Sequence, residues 1–365
     1  MQIRYQRQVQ LPGWGEAAQA RLKSSSVLVV GAGGLGVPVL QYLAAAGVGH
    51  IGIADGDVVE LSNIHRQPLY DPDDTGRNKA TVAAEKLFLL NGEVQTTVYS
   101  YHLTATNAGD IIRHYDLIID ASDNFPTRYL LNDACVLLDK PWIYGAVFAM
   151  EGQLAVLNFH NGPTYRCLFP TPPEPGAVPD CETSGILGTI PGTIGMLMAT
   201  EALKILAGLP VVMQGTLLHW QATEQRFDKW TFRRDAEYKK HVPATLEAMR
   251  QTDYPAFCGI RDETSVSADD LVVQDRTYLF LDVRNTDELP EPWFDHLRWS
   301  LDEIRSGINQ PELQGDVLVY CQTGSRTPEA IRLLKQRYPD IHFVSLQGGI
   351  KAWQLAEMNK RYGRT

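Results

Sequence analysis

A glycine-rich segment, GAGGLG, constrains this chain most, because it lies between an apolar strand pattern and a helical pattern. It runs from Gly31 to Gly36, with Gly33 and Gly34 inside it, directly after the apolar run SVLVV. Glycine permits a tight turn and a close backbone approach to phosphate, and the helix that follows offers free N–H groups to an anion. Asp55 ends the next apolar run, where a carboxylate can accept hydrogen bonds from ribose hydroxyls. The segment predicts a nucleotide site, and the glycine motif alone does not separate NAD or FAD from ATP.

Strand patterns alternate with helical patterns through the first part of the chain. The strand-like runs lie at residues 27–30, 51–54, 94–99, 117–120 and 142–146. Strands that alternate with helices form parallel sheets through right-handed crossovers. Patterns typical of antiparallel strands follow at residues 153–159, 216–221 and 226–232. We therefore predict an α/β fold with a Rossmann-like, doubly wound, mostly parallel sheet that has an antiparallel extension, and a small second α/β domain.

The chain length of 365 residues favours two domains rather than one. A new series of strand and helix patterns begins near residue 262, after a polar stretch. We predict a nucleotide-binding domain at residues 1–245, a linker at 246–261 and a second domain at 262–365.

Composition excludes some classes of partner. The formal net charge is −10, and no long basic run offsets it, which argues against a nucleic acid or an anionic membrane as the main ligand. The N-terminal segment lacks the apolar core of a secretion signal, and no stretch would span a bilayer. The five cysteines are odd in number and widely spread, so no disulfide framework is implied and a cytoplasmic location is predicted.

Two basic segments after the glycine loop suit a polyphosphate ligand. SNIHRQ contains Arg66 and TGRNKA contains Lys79, and both cations could neutralise phosphate charge. Asp123 follows the apolar run LIID, where a carboxylate could hold Mg²⁺ bridging the phosphates. Each residue also has a plainer interpretation, because the cations could be solvated surface charges and Asp123 could cap a helix.

These segments together resemble a known family. RYQRQ, GAGGLG, DGDVVELSNIHRQ, TGRNKA and DASDN have the order and spacing found in the ubiquitin-activating-type adenylyltransferases that act on bacterial sulfur-carrier proteins, the MoeB/ThiF family. The likeness covers residues 1–232. It implies an enzyme that uses ATP and Mg²⁺ to adenylate the C-terminal Gly-Gly carboxylate of a small ubiquitin-fold sulfur carrier.

The resemblance also implies roles for individual residues. Arg66 and Lys79 hold phosphates, and Asp123 binds magnesium. Arg7 of the RYQRQ segment reaches into the ATP site of the neighbouring subunit, which predicts a homodimer. The glycine loop is joined in ATP binding by polar side chains around it, namely Asp55, Asp57, Asn63, Gln67 and Asn124.

Cys181 lies between a proline-rich segment and a long apolar helical pattern. From the residues alone it could be an incidental loop thiol or a reactive one. The resemblance implies a catalytic cysteine that attacks the activated carboxylate.

Many relatives in the family that the motifs resemble bind a structural zinc through two CxxC pairs. Here Thr164 and Cys167 stand at the first pair, and Tyr238 and His241 lie where the second pair would fall. One cysteine and one histidine cannot complete a closed tetrahedral site, so we predict no zinc.

A second reactive cysteine is predicted in the C-terminal domain. Cys321 follows the apolar run VLVY and begins the segment CQTGSR, with Arg326 at the start of a helical pattern. N–H groups at a helix N-terminus and a nearby guanidinium stabilise a thiolate or a persulfide. The plainer interpretation is a buried cysteine at a strand end.

The surroundings of Cys321 resemble the rhodanese family of sulfurtransferases over residues 262–365. The resemblance rests on the DVR segment at 282–284, on CQTGSR, and on LQGGIKAW at 346–353. The loop from Cys321 to Arg326 is one residue shorter than the loop of rhodanese-fold phosphatases, which favours sulfur over phosphate.

We therefore predict an adenylyltransferase and sulfurtransferase in which a persulfide on Cys321 attacks the acyl-adenylate. The predicted catalytic residues are Arg7, Arg66, Cys181, Cys321 and Arg326. Cys181 would then form a disulfide with Cys321 or a transient thioester with the carrier.

Several alternatives stay open. Molybdopterin biosynthesis is the predicted pathway, with thiamine, tRNA thiolation and siderophore sulfur as alternatives, and the sulfur donor is a cysteine desulfurase or thiosulfate. An NAD- or FAD-dependent oxidoreductase would use the same glycine motif. A non-catalytic scaffold that docks the carrier would leave Cys321 inert.

Overall fold

The chain forms two compact units, Met1–Ile260 and Arg261–Thr365. The structure is a computed structural model, and it describes residues 3–173, 185–211, 213–258, 265–268, 271, 278–286, 288–322, 324 and 326–362.

An eight-stranded sheet forms the centre of the first unit, in the order β3-β2-β1-β4-β5-β6-β7-β8. The first five strands of that order are parallel, and β6, β7 and β8 are antiparallel to their neighbours. The strands are β1 (Ser26–Val30), β2 (His50–Ala54), β3 (Gln95–Tyr99), β4 (Leu117–Asp120), β5 (Trp142–Phe148), β6 (Glu151–Leu157), β7 (Thr216–Gln221) and β8 (Arg226–Thr231). The predicted parallel sheet with an antiparallel extension is confirmed.

Helices cover both faces of this sheet. In chain order they are α1 (Gln6–Val9), α2 (Gly15–Ser24), α3 (Gly36–Ala46), α4 (Lys79–Leu90), α5 (Ala108–Ile112), α6 (Phe125–Leu137), α7 (Tyr165–Leu168), α8 (Thr189–Ala207), α9 (Leu246–Arg250) and α10 (Tyr254–Phe257). β1 shows why both faces are apolar, because Val27 and Val29 join one core and Leu28 and Val30 join the other. Successive side chains of a strand point to opposite faces, so a strand covered on both sides is a continuous apolar run.

Helix α8 is long and apolar enough to cross a membrane by length and composition alone. In the fold it packs against α3, β5 and β6. Its residues Ile194, Met198 and Ala202 are fully buried in the core on that side of the sheet. The helix is therefore part of the core of the first unit.

Residues 246–258 differ from the sequence prediction, which placed a linker there. They form α9 and α10, whose Met249 and Tyr254 are buried in the core that contains Leu28 of β1. The side chain of Leu246 lies against Gly109 of α5, 3.1 Å from where a Cβ atom would stand. The segment is polar overall, so its sequence resembles a linker. Its few apolar residues become buried only by packing against α5 and α6, which are distant in the chain.

A buried ion pair fixes α7 and α10 on α6. The guanidinium of Arg166 donates two hydrogen bonds of 2.7 Å to the carboxylate of Asp133, and the Tyr254 hydroxyl donates a third at 2.9 Å. The guanidinium also lies 4.9 Å from the ring centres of Tyr129 and Phe257. Both charged side chains are almost fully excluded from solvent, so each depends on the other for neutralisation.

The second unit has a five-stranded parallel sheet in the order β11-β10-β12-β13-β9. Its strands are β9 (Ser265–Val266), β10 (Leu279–Asp282), β11 (Leu297–Arg298), β12 (Val317–Tyr320) and β13 (Phe343–Leu346). Its helices are α11 (Leu301–Ser306), α12 (Thr327–Arg337) and α13 (Gly349–Tyr362). Two cores again lie on opposite faces, one with α12 and the other with α13.

Removal of the Asp133 charge should destabilise the first unit. We expect Asp133→Asn to cost about 3–5 kcal/mol, because Arg166 would keep its charge in the interior without a counter-ion. Asp110→Asn is the matched control, since it breaks only exposed pairs, with Arg113 and Arg250, and should cost about 1 kcal/mol or less. Thermal unfolding followed by circular dichroism measures both, and equal melting temperatures would contradict the expectation.

Candidate functional site

The glycine loop is held by backbone contacts that exclude a side chain. A Cβ atom on Gly36 would stand 1.9 Å from the carbonyl oxygen of Gly31. A Cβ atom on Gly31, which has φ +97°, would stand 2.6 Å from the carbonyl oxygen of Ala121 after β4. Gly33 is less restricted, with the nearest atom 3.5 Å away at Gln67 Nε2. Glycine at 31 and 36 is thus required by the fold itself, before any ligand is considered.

Asp55 fixes the start of the loop. Its carboxylate accepts hydrogen bonds from the N–H of Ala32 at 2.7 Å and from the N–H of Asp57 at 2.8 Å. Burial raises the pKa of Asp55, and the nearby Lys79 ammonium opposes that rise. The structure therefore uses this carboxylate to hold the turn, and ribose binding by Asp55 stays a prediction.

The segment from Leu61 to Arg66 packs directly on the glycine loop as a 3-10 helix. Asn63 and Gln67 are buried, and Gln67 Oε1 has no hydrogen-bond partner among the described residues. The Arg66 guanidinium donates to Ser62 O at 3.2 Å and lies 3.0 Å from His65 Nε2. The fold thus brings the predicted residues Asn63, Arg66 and Gln67 beside Gly33 and Gly34.

Lys79 begins α4 and lies near Asp55, the residue that follows β2. Its ammonium lies 3.1 Å from the exposed carboxylate of Asp57, while the side chain itself is largely buried. Asn78 caps the helix and donates to the carbonyl oxygens of Asp55 and Asp57. Lys79 is therefore held at the carboxyl end of β2, close to Asp55, and phosphate binding by Lys79 stays a prediction.

The end of β4 adds charged groups that the sequence analysis did not single out. Asp120 is fully buried, and its Oδ1 accepts from the N–H of Ser122 at 3.0 Å. Burial raises the pKa of Asp120 to about 6, although the buried Arg128 guanidinium and the Ser122 hydrogen bonds oppose the rise. The acidic end of the apolar run LIID was the available clue to Asp120. Arg128 lies on α6, and its place near Asp120 follows only from the packing of that helix.

Asp123 and Asn124 follow this cluster and are exposed. The Asn124 side chain accepts from the N–H of Thr127 at 2.9 Å and caps α6. Asp123 therefore presents a solvent-accessible carboxylate beside the end of β4, as magnesium binding would require. Asn124, which the sequence analysis assigned to nucleotide binding, caps a helix in the structure.

Arg7 lies away from the glycine loop of its own chain. It is exposed on α1, and its neighbour Gln8 donates to Ala46 O at the far end of α3. The glycine loop joins α3 at the other end of this 11-residue helix, about 16 Å away.

The structure describes only one of the two cysteines that the sequence analysis discussed in the first unit. Cys181 lies outside the described residues. Cys167 Sγ accepts from the N–H groups of Thr164 and Asp235, both at 3.4 Å. No cluster of three or more His, Cys, Asp or Glu side chains able to hold a metal ion occurs in the part of the chain that the structure describes.

Cys321 occupies the predicted loop of the second unit at the end of β12. It is fully buried, and its Sγ accepts from the N–H groups of Gly324 at 3.2 Å and Arg326 at 3.4 Å. The carbonyl oxygen of Cys321 accepts a hydrogen bond from the N–H of Ile350, the second residue of α13. The loop thus aims backbone donors at sulfur, which suits a thiolate or a persulfide.

Comparisons with known proteins agree on one group of enzymes. The ThiF family model matches residues 5–242. The sulfur carrier protein adenylyltransferase of Thermus thermophilus is 52% identical over 264 residues, covering 71% of this chain and 97% of that protein. The adenylyltransferase and sulfurtransferase MOCS3 of Drosophila sechellia is 40% identical, covering 96% of this chain and 82% of that protein.

Two further matches extend this result. The probable adenylyltransferase/sulfurtransferase MoeZ of Mycobacterium tuberculosis is 39% identical over 96% of this chain and 92% of that protein. Among solved structures, E. coli MccB with MccA-N7isoASN has a TM-score of 0.59 over 64% of this chain and 73% of that chain. Its 20% identity makes that match evidence for the fold alone.

The steric difference between two glycines of the loop gives a direct test. We expect Gly36→Ala to destabilise the first unit by about 1–3 kcal/mol or to prevent its folding, because the new methyl group overlaps Gly31 O. Gly33→Ala is the control and should melt close to the wild type. Thermal unfolding of both purified variants decides this, and a Gly36→Ala protein as stable as Gly33→Ala would contradict the packing described above.

Proposed function

Because the chain belongs to the ThiF family, we propose that it adenylates the C-terminal Gly-Gly carboxylate of a small ubiquitin-fold sulfur-carrier protein and then transfers sulfur to it. The observation that carries this proposal is the similarity to MOCS3 and MoeZ across both units of the chain. Relatives named as both adenylyltransferase and sulfurtransferase support both steps. The family resemblance drawn from the sequence motifs is confirmed.

The alternatives are less well supported. An NAD- or FAD-dependent oxidoreductase gives no task to the loop around Cys321, and the relatives named above are not oxidoreductases. A scaffold without activity would not need backbone N–H groups directed at Cys321 Sγ.

The first step would make the carrier carboxylate reactive. A carboxylate is a poor electrophile, and attack on the α-phosphate of ATP gives it AMP as a leaving group while pyrophosphate departs. In this proposal Arg66 and Lys79 neutralise phosphate charge, and Lys79 would exchange Asp57 for a phosphate oxygen. Asp123 is the exposed carboxylate that would hold Mg²⁺, which supplies further charge neutralisation. The tight glycine loop would place the N-terminus of α3 against the phosphates.

The second step would replace oxygen with sulfur. The terminal sulfur of a Cys321 persulfide attacks the acyl carbon, AMP leaves, and the carrier is joined to Cys321 through an acyl disulfide. In the proposed release step the Cys181 thiolate attacks Cys321 sulfur, so the thiocarboxylate departs and a Cys181–Cys321 disulfide remains. A cellular thiol reductant supplies two electrons to reset it. The alternative is a transient thioester between Cys181 and the carrier.

We also propose a homodimer in which Arg7 serves the partner's ATP site. The support is its position, since α1 lies at the opposite end of α3 from the glycine loop of the same chain. A cytoplasmic enzyme of molybdopterin biosynthesis is the proposed setting, with thiamine, tRNA thiolation and siderophore sulfur as alternatives. No zinc is proposed, because Cys167 and His241 alone cannot complete a closed tetrahedral site.

The two half-reactions can be separated by variants. With ATP, Mg²⁺ and a diglycine-tailed sulfur carrier, we expect Lys79→Met to slow ATP–pyrophosphate exchange by about 100-fold, because a phosphate counter-charge is lost. Lys86→Met is the control, since Lys86 pairs with Asp71 and Asp74 instead. Cys321→Ala should keep the exchange and lose thiocarboxylate formation, measured by mass spectrometry of the carrier. A wild-type protein that exchanges no pyrophosphate with any such carrier would refute the proposal.

Mixed dimers test the position of Arg7. The Arg7→Ala and Lys79→Met proteins should each keep only about 1% of the exchange activity when alone. A refolded equal mixture should recover roughly a quarter of wild-type exchange, because half the dimers then contain one intact site. Recovery in the mixture reports complementation between chains. Absence of recovery in a mixture shown to contain heterodimers would contradict an Arg7 that acts across the interface.

A further inference from the structure

Two arginines belong to or contact the loop that carries Cys321, and the guanidinium of each is paired with a carboxylate. Arg284 is fully buried, and its guanidinium binds the carboxylate of Asp282 at 2.7–3.2 Å. Its remaining nitrogen, Nη1, donates to Pro290 O at 3.1 Å and to Gln322 Oε1 at 3.0 Å. Arg284 therefore supports the loop and has its donors committed to the protein.

Arg326 follows the same pattern with a different carboxylate. Its two terminal nitrogens donate to the two oxygens of Glu288, at 2.6 and 2.5 Å. Glu288 is anchored in turn, because its Oε1 accepts from the N–H of Asn285, next to Arg284, at 3.0 Å. The Arg326 guanidinium holds the pKa of Glu288 at about 2, so the carboxylate stays charged under all ordinary assay conditions.

We propose that Glu288 is a specificity-determining residue that occupies Arg326 and thereby directs Cys321 to sulfur held as a persulfide on another protein, rather than to small anions such as thiosulfate. The inference rests on the proposed sulfur-transfer function and names its donor class, which neither the relatives nor the rhodanese resemblance decides.

Charge balance around the loop is the first argument. The pairs Arg284–Asp282 and Arg326–Glu288 each sum to zero. Arg298 also contacts Asp282, at 3.4 Å, and is itself paired with Glu291. A thiolate on Cys321 therefore meets no guanidinium of this group that lacks a carboxylate partner. Thiosulfate is a dianion, and its sulfonate would need a bidentate guanidinium partner of the kind that Glu288 now occupies. Its binding would also leave a displaced carboxylate beside a dianion, and like charges in contact repel.

The rim of the loop is the second argument. Gln322, which follows Cys321, donates to the carbonyl oxygen of Leu289 at 2.9 Å, so Leu289 stands beside the loop. Leu289 is 72% exposed. The exposed Leu289 side chain and the neutralised Arg326–Glu288 pair offer no positive charge to a small dianion. An apolar patch on a donor protein could pack against Leu289.

The loading reaction needs no further reagent. The Cys321 thiolate attacks the outer sulfur of a donor cysteine persulfide, the donor S–S bond breaks, and the donor leaves as a thiolate. Cys321 gains the sulfur atom as a persulfide, and no net oxidation occurs. The reaction with thiosulfate would be analogous, with sulfite as the leaving group.

The test compares two donors on the full chain. Persulfide on Cys321 is measured by intact mass and by transfer to cyanide, with thiosulfate or with a cysteine desulfurase and L-cysteine as donor. Glu288→Gln keeps the shape of the side chain and removes its charge. We expect kcat/KM for thiosulfate to rise about tenfold through a lower KM, because Arg326 is then available to the sulfonate. Loading from the desulfurase should change much less, so the ratio of the two rates shifts.

Controls distinguish charge from structure. Glu329→Gln makes the same change at a carboxylate of α12 that binds Arg305 instead, and it should leave the thiosulfate KM at the wild-type value. Adding Arg326→Gln to Glu288→Gln should cancel the gain. If Glu288→Gln does not fold, Glu288→Ser with a shorter neutral side chain should show the same fall in KM. An unchanged thiosulfate KM in the folded variant would overturn the inference. A wild type that loads better from thiosulfate than from the desulfurase would also overturn it.

Failure of the broader proposal would look different. A wild-type Cys321 that accepts sulfur from neither donor would refute both the inference and the proposed sulfur transfer. ATP–pyrophosphate exchange depends on the first unit and is measured separately, so its loss would refute adenylation and leave the donor comparison intact.

Discussion

The close backbone packing of the glycine loop is the constraint on which the nucleotide half of this protein depends. Gly36 approaches Gly31, and Gly31 approaches Ala121, at distances that leave no room for a side chain. The Asp55 carboxylate locks this turn through the N–H of Ala32. Because the turn is fixed, α3 begins at the edge where the carboxyl ends of β1, β2 and β4 meet, which is where open α/β sheets bind ligands. The cations and carboxylates of the proposed ATP site lie along that edge of the sheet.

In both units, cations proposed to act on anions are held by carboxylates before any substrate arrives. Lys79 is paired with Asp57, and Arg326 is paired with Glu288. Such pairing keeps a long side chain in position and lowers the cost of burying its charge. The consequence differs between the sites, since a polyphosphate with Mg²⁺ can replace one exposed carboxylate. A persulfide carries too little charge to require such a replacement, so the Arg326 pair can persist during transfer.

Interactions between distant segments explain where the sequence predictions fell short. Residues 246–258 have no regular apolar pattern, and their helices are stabilised by α5 and α6, far away in the chain. The Asp133–Arg166 pair joins residues separated by 33 positions, and neither residue stands in a recognisable motif. Glu288 is 38 residues from Arg326. Local sequence patterns do not predict such pairs, because each charged residue taken alone is indistinguishable from an ordinary surface charge.

The sequence by itself determined the parallel sheet with its antiparallel extension, the positions of the glycine loop and of the Cys321 loop, and the family. These features depend on apolar periodicity and short motifs, which involve residues that are neighbours in the chain. The tertiary structure alone decided which groups are neutralised: Asp57 beside Lys79, Glu288 on Arg326 and Arg128 near Asp120. It also made residues 246–258 of the predicted linker part of the core of the first unit. The physical reason is that burial and charge pairing depend on which segments meet in space, and that is settled only when the whole chain packs.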